Sequence, residues 1–160
     1  MLSVDIICIG KLKESYWREA VAEYAKRLSP FCVFSVTELP EERLPDNPAP
    51  GDVARGLKAE GERVLARCQR GGLVIPLCVE GDELSSRELA GRISSAAANG
   101  TNRIQFIIGG SHGLSDEVKA RGGLRLSMSP MTFPHQLARV MLCEQLYRAF
   151  SIINGNKYHK

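Results

Sequence analysis

The sequence has no CxxC pair and no cysteine–histidine spacing of the kind that holds zinc, and its five cysteines (Cys8, Cys32, Cys68, Cys78 and Cys143) are an odd, scattered set. That pattern supports neither a disulfide framework nor a metal site, and the thiols are expected to be reduced and mostly buried. Long apolar runs are missing too. The opening MLSVDIICIGKLKE is interrupted by lysines too soon to span a bilayer, and no small-residue cleavage site follows it, so a cytoplasmic protein without a membrane segment is expected. Neither GxGxxG nor GxxxxGK[ST] occurs, which gives nicotinamide and ATP readings little support. A composition of 44% hydrophobic and 24% charged residues over 160 positions fits one compact core.

Acidic residues are scarce in one region only. Residues 119 to 160 carry seven Lys/Arg against a single acid, Glu144, whereas residues 1 to 118 carry 14 against 17. A basic last quarter is the footprint of a surface that meets phosphate, although a solvated basic face gives the same pattern. The net charge of +3 is modest, so a free oligonucleotide is expected to bind weakly and a larger surface to be needed.

Short β-branched or apolar runs alternate with stretches of helical period, which predicts an α/β fold with a mostly parallel sheet and helices on both faces. The strand candidates are Val4 to Ile9, Val33 to Leu39, Leu73 to Val79, Ile104 to Ile108 and Leu124 to Met128. Trp17, Ala20, Val21, Tyr24 and Leu28 mark a helix over Ser15 to Leu28, ended by Pro30. Proline crowds residues 43 to 51, and a second helix runs from there to Gly71-Gly72. Ser85 with Glu88 predicts a capping box for a third helix, and Ser115-Asp116-Glu117 begins a short fourth one. The last runs from about Pro134 to Asn154-Gly155. It has two apolar stripes, through Leu137, Val140, Met141 and Tyr147 and through Leu142, Leu146, Ala149, Phe150 and Ile153, where a one-sided surface helix needs one. A homodimer partner or deep insertion in the core would each explain the second.

Three segments suit ligand binding. Phe106 to Ser115 (FIIGGSHGLS) runs from a strand through a glycine-rich turn into a helix start, where exposed amides and missing side chains let a ligand approach the backbone. In open α/β sheets that is where ligands bind. Met128 to His135 (MSPMTFPH) offers apolar surface on a backbone restrained by two prolines, suited to an adenine ring or a methionine chain. Leu77 to Gly81, at the end of the third strand, makes a third loop that could converge with these two on one pocket. Each also reads as a plain connection. The tail, Asn154 to Lys160, mixes base, aromatic ring and imidazole, able to contact phosphate and stack on a base; a frayed end is the alternative.

IIGGSHGLSDEV followed by SPMTFPHQLARVMLCEQLYRAFSIINGNKYHK closely resembles the ribosomal large-subunit RNA methyltransferase H family, with the MTFPHQ loop, the EQLYRAFSII helix and the terminal YHK in order. The likeness extends over the whole chain, so residues 1 to 160 would be one SPOUT-like methyltransferase domain. It implies a C-terminal trefoil knot, which generic rules of chain topology disfavour. It further implies a homodimer that uses S-adenosylmethionine to methylate N3 of a pseudouridine in 23S ribosomal RNA on assembled ribosomes, with no metal. By motif position the cofactor contacts would be Leu77, Gly109, Met128, Ser129, Pro130, Met131, Thr132 and Phe133, and Tyr158 and His159 would complete the site of the other subunit. Cys78, Pro130 and Lys157 stand where the family commonly has Asp, Lys and Pro.

Methyl transfer needs alignment of nitrogen, methyl carbon and sulfur, so positioning supplies most of the acceleration and no nucleophilic cysteine is required. The N3 proton must leave, which makes His159, His135 and Arg139 the candidates to accept it or to stabilise the developing anion. The reading assigns His159 with Tyr158 to the base and Arg139 to a phosphate or imide oxygen. His135 has a structural alternative, and Arg148 is expected to pair with Glu144 one helical turn away. The rival readings are a non-catalytic RNA-binding assembly factor, an enzyme using another nucleotide, and a methyltransferase acting on transfer RNA.

Overall fold

The computed structural model describes residues 1–159, with only the backbone of His159. Five strands alternate with five helices: β1 (Ser3–Ile9), α1 (Ser15–Leu28), β2 (Val33–Leu39), α2 (Pro50–Leu65), β3 (Leu73–Glu83), α3 (Ser86–Ala98), β4 (Arg103–Ile108), α4 (Asp116–Arg121), β5 (Leu126–Ser127) and α5 (His135–Ile153). A single 3₁₀ turn, Lys157–His159, follows. All strand pairs are parallel, in the order β2-β1-β4-β3-β5. The expected α/β sheet is therefore present, and its central strands are apolar on both faces, as a sheet covered on both sides requires.

Alternation along the strands sorts the core into two layers. Ile6 and Cys8 of β1, Ile75 of β3 and Phe106 of β4 pack against Leu28 of α1, Ile93 of α3 and Leu142 and Leu146 of α5. Ile7 and Ile9 with Ile107 of β4 pack on the opposite side against Val64 of α2 and Val118 of α4. Each such fully buried aliphatic side chain contributes about 1.5–3 kcal/mol. Burial lifts the thiols of Cys8 and Cys143 to about 12, so these cysteines act as small apolar residues rather than nucleophiles.

Local signals set several boundaries. Ser85 accepts the Glu88 amide while Glu88 accepts the Ser85 amide, the reciprocal pairing that starts α3. Ser115 accepts the Val118 amide at 3.3 Å to start α4. Pro134 stands at the N-cap of α5. Three readings need correction. α2 stops at Leu65, short of the expected Gly71-Gly72. Leu77 to Gly81 is not a loop after β3 but an irregular part of the strand: Leu77 and Asp82 both pair with Leu126, so the residues between them bulge from the ladder. β5 shrinks from the predicted Leu124 to Met128 to two residues, because only Leu126 and Ser127 find partners on that bulged edge.

The basic last quarter also changes character on folding. Lys119 pairs with Glu80, Arg139 with Glu38 and Arg148 with Glu144. Two of the seven cations of that quarter are thus answered by acids that the fold brings in from the first half, and a third by its own Glu144. On α5, Leu142, Leu146, Ala149 and Phe150 are buried, Ile153 is exposed, and Leu137, Val140, Met141 and Tyr147 are half-buried. The stripe through Leu142, Leu146, Ala149 and Phe150 thus lies in the core, and the one through Leu137, Val140, Met141 and Tyr147 is only half covered within one chain.

Candidate cofactor site

The carboxyl ends of β1, β4, β3 and β5 all reach one side of the sheet, where parallel α/β folds bind ligands. There, β4 ends at Ile108 and the chain enters the glycine turn. The Gly113 amide donates to the Gly110 carbonyl at 3.1 Å, and Gly113 has φ +81°. A Cβ on Gly109 would lie 2.4 Å from the Gly113 carbonyl oxygen, so no larger residue fits the turn. Next to it, the Met131 amide donates to the Ser129 hydroxyl at 3.0 Å, and the Ser127 hydroxyl donates to the Ser129 carbonyl at 3.1 Å. These bonds shape the loop between β5 and α5.

The β3 bulge, the glycine turn and the β5–α5 loop enclose a cavity of about 720 Å³, within the range of small-molecule sites. Of the eight residues the resemblance assigns to the cofactor, Leu77, Gly109, Met128, Ser129, Met131, Thr132 and Phe133 line it, whereas Pro130 is exposed and does not. Val79 and His112, from two of the segments marked in the sequence, line it as well, as do Lys119 and Ala138, which sequence reasoning passed over. Its walls combine apolar side chains with glycine backbone. Such a donor set suits a nucleoside carrying an apolar thioether-like chain, while among the described residues no cluster of three or more His, Cys, Asp and Glu can hold a metal.

His135, the first residue of α5, also lines the cavity. A Cβ built on Gly10 would lie 3.4 Å from its Cε1, so the end of β1 backs the imidazole. Burial lowers the pKa of His135, as does Arg139 one helical turn on; Glu41 opposes them. The ring is therefore neutral at pH 7, and its buried Nδ1 has no hydrogen-bond partner among the described residues.

Arg139 is placed otherwise than the sequence suggested. Its side chain is 1% exposed and absent from the cavity wall. Nη1 donates to Glu38 Oε2 at 2.7 Å and Nη2 to the Gly10 carbonyl at 3.3 Å. Burial pushes the Glu38 pKa up, but Arg139, the Leu12 amide and Lys11 outweigh it and hold the carboxyl below its ordinary value. Because Glu38 and Arg139 lie 101 positions apart, no local pattern announces the pair.

Tyr158 packs on its own α5 rather than in the cavity. Its hydroxyl donates to Glu144 at 2.9 Å, its ring centroid lies 4.6 Å from that of Tyr147, and the Arg148 guanidinium sits 5.0 Å from its centroid. Arg148 makes the expected one-turn pair with Glu144 at 2.8 Å. The side chain of His159, the other tail candidate, lies outside the described residues.

The family described as predicted SPOUT methyltransferase matches residues 2–159. Among curated proteins, the chain is 46% identical over 159 residues to the ribosomal RNA large subunit methyltransferase H of Carboxydothermus hydrogenoformans, covering 99% of this chain and all of that one. The protein of the same name from Bifidobacterium animalis subsp. lactis matches with the same identity and coverage. Among solved structures, a probable methylase family protein from Haemophilus influenzae Rd KW20 superposes with a TM-score of 0.53 at 16% identity, covering 98% of this chain and 70% of that one. This last likeness concerns the fold alone.

Proposed function

The chain belongs to the SPOUT methyltransferase family, and from that premise we propose that it transfers a methyl group from S-adenosylmethionine to N3 of a pseudouridine in 23S ribosomal RNA. The observation that carries this reading is the cavity of about 720 Å³ at the strand ends, lined by seven of the eight residues the motifs select for the cofactor. When bound, S-adenosylmethionine supplies an electrophilic methyl group on a positively charged sulfur.

Leu77, Met131 and Phe133 would hold its apolar parts, and the glycine turn from Gly109 to Gly113 would admit it close to the backbone. Their main task is alignment, since a nitrogen held in line with the methyl carbon converts a bimolecular encounter into an intramolecular step. The N3 proton has to leave as the bond forms. His135 in the cavity wall is neutral at pH 7 and can accept it. Arg139 fixes the backbone behind His135 instead of meeting the substrate.

The half-covered stripe of α5 supports a homodimer, in which Tyr158 and His159 of a second copy complete the site. Releasing Tyr158 for that role requires only the loss of partly exposed contacts to Glu144, Tyr147 and Arg148. The passage from β5 into α5, which packs between α1 and α3, would be the threaded segment of the family's trefoil knot.

The test is transfer of labelled methyl to ribosomes that lack the modification, followed by mass spectrometry of digested 23S RNA. One new methylpseudouridine is expected. No incorporation into ribosomes or free RNA by a protein that binds S-adenosylmethionine would sink the pseudouridine assignment, and failure to bind it as well would favour a non-catalytic RNA-binding factor.

A further inference from the structure

The four residues after β1 are fixed far more firmly than a surface turn needs. Gly10 leaves the strand with φ +96°, a value only glycine adopts freely, and its amide donates to the Leu39 carbonyl at 2.9 Å. Arg139 donates to the Gly10 carbonyl at 3.3 Å, and the Leu12 amide donates to Glu38 Oε2 at 3.0 Å. From the other side, Arg18 donates to the Leu12 carbonyl at 3.1 Å and to the Lys13 carbonyl. Leu12 is buried beneath the turn. Side chains from α1, β2 and α5 thus hold one short piece of backbone.

What this turn presents is a pair of exposed cations. Lys11 and Lys13 flank buried Leu12; neither makes a hydrogen bond or close ion pair among the described residues, though Lys11 lies near enough to Glu38 to help lower its pKa. Lys13 lines a polar cleft of about 480 Å³ that shares Ser111 and His112 with the cofactor cavity, so the turn stands at the cavity's rim. The cleft also contains three acids: Glu42 is paired with Arg63, Glu60 accepts the Glu42 amide at 2.9 Å, and Glu41 accepts the Ser111 hydroxyl at 3.4 Å. Exposed Arg43 adds a further cation to the same cleft.

We propose that the Gly10–Lys13 turn is a docking point for the phosphate backbone of the substrate RNA, with Lys11 and Lys13 each neutralising a phosphate beside the nucleotide that enters the cavity. This rests on the RNA-methylating reading above. A lysine head is a compact point charge suited to phosphate. Fixing its backbone fixes the register of the RNA relative to the transferable methyl, which is what phosphate contacts do in nucleic-acid complexes. The nearby Gly10 contact with His135 makes the same turn the back wall of the reacting site.

The experiment compares the intact protein with its Lys11→Gln/Lys13→Gln variant on ribosomes lacking the modification, across a range of salt concentrations. Two lost phosphate contacts should lower the slope of log(kcat/KM) against log[salt] by about 1.4, taking roughly 0.7 per contact for single-stranded RNA. At low salt, kcat/KM should fall about tenfold through KM, with S-adenosylmethionine affinity unchanged. A control that removes the same charge elsewhere, Lys26→Gln/Arg92→Gln, should leave the slope as it was. A photo-crosslinking residue in place of Lys13 should join to RNA. Unchanged slope and kcat/KM in a variant that binds cofactor normally, or crosslinks to ribosomal protein alone, would overturn the proposal while leaving the reaction intact. Absence of ribosomal RNA methylation by the unaltered protein would overturn both.

Discussion

The two ends of the sheet are built on opposite principles. At the amino end, buried Asp5 accepts from Ser35 and from Arg103 at 2.5 Å, while Gln105 donates to the Arg67 carbonyl and accepts the Gln69 amide at 2.9 and 2.8 Å. The polar groups named there answer one another across β1, β2 and β4. At the carboxyl end the chain instead leaves the cavity walled by a glycine turn, with two of the three buried polar atoms that lack a partner among the described residues, His135 Nδ1 and Arg139 Nε, beside it; the third, Ser151 Oγ, lies in the last turn of α5. A satisfied buried network stabilises and specifies the fold, whereas polar groups left without partners mark where the fold has been arranged for something else. In a parallel sheet this division follows from strand direction, because every strand delivers its following loop to the same side.

The contrast can be broken most severely at Gly109. Alanine there would press its Cβ against the Gly113 carbonyl and reshape the glycine turn; S-adenosylmethionine affinity by calorimetry should fall about a hundredfold, or roughly 2.7 kcal/mol. Normal affinity would show that this turn is no part of the cofactor wall. At the other end, Asp5→Ala leaves Arg103 and Ser35 without their carboxylate. Denaturant unfolding should show a loss of about 1–3 kcal/mol, with cofactor affinity untouched. Equal damage to both quantities would mean that the two ends are not independent.

The smallest effect concerns pH. His135 has its pKa lowered by burial, so the unfolded chain binds its proton first as pH falls. Its contribution to stability is complete above the ordinary histidine value of 6.5 and is lost as pH drops below that toward the lowered folded value. Melting curves of His135→Gln should therefore show a shallower loss of stability below pH 6.5 than those of the intact chain. Identical slopes would mean that the imidazole is not held neutral by its surroundings.

The sequence revealed most where neighbours in the chain decide the outcome. Proline at the start of α5, the Ser85–Glu88 box and the β-branched run Val33 to Leu39 all act within a few positions, and β2 and α1 have the predicted limits. The cofactor loops were legible for the same reason, since Gly109 and the Met128 to Phe133 segment are contiguous motifs. What escaped depends on distance along the chain. The bulge of Cys78 to Gly81 exists because Leu77 and Asp82 compete for one residue of β5. Glu38 gave no signal because its role is created by Arg139, and the basic final quarter looked unopposed because Glu38 and Glu80 lie in the first half.

The pairing of β1 has a consequence in time. This strand is synthesised before the other four, yet it sits in the interior of the sheet, and one of its two neighbours is β4, in a register that joins Ser3 to Arg103. At about 5–20 residues per second, several seconds pass between the appearance of the two partners. Throughout that wait an apolar edge stays open, which makes the nascent chain a natural client for factors that shield such edges.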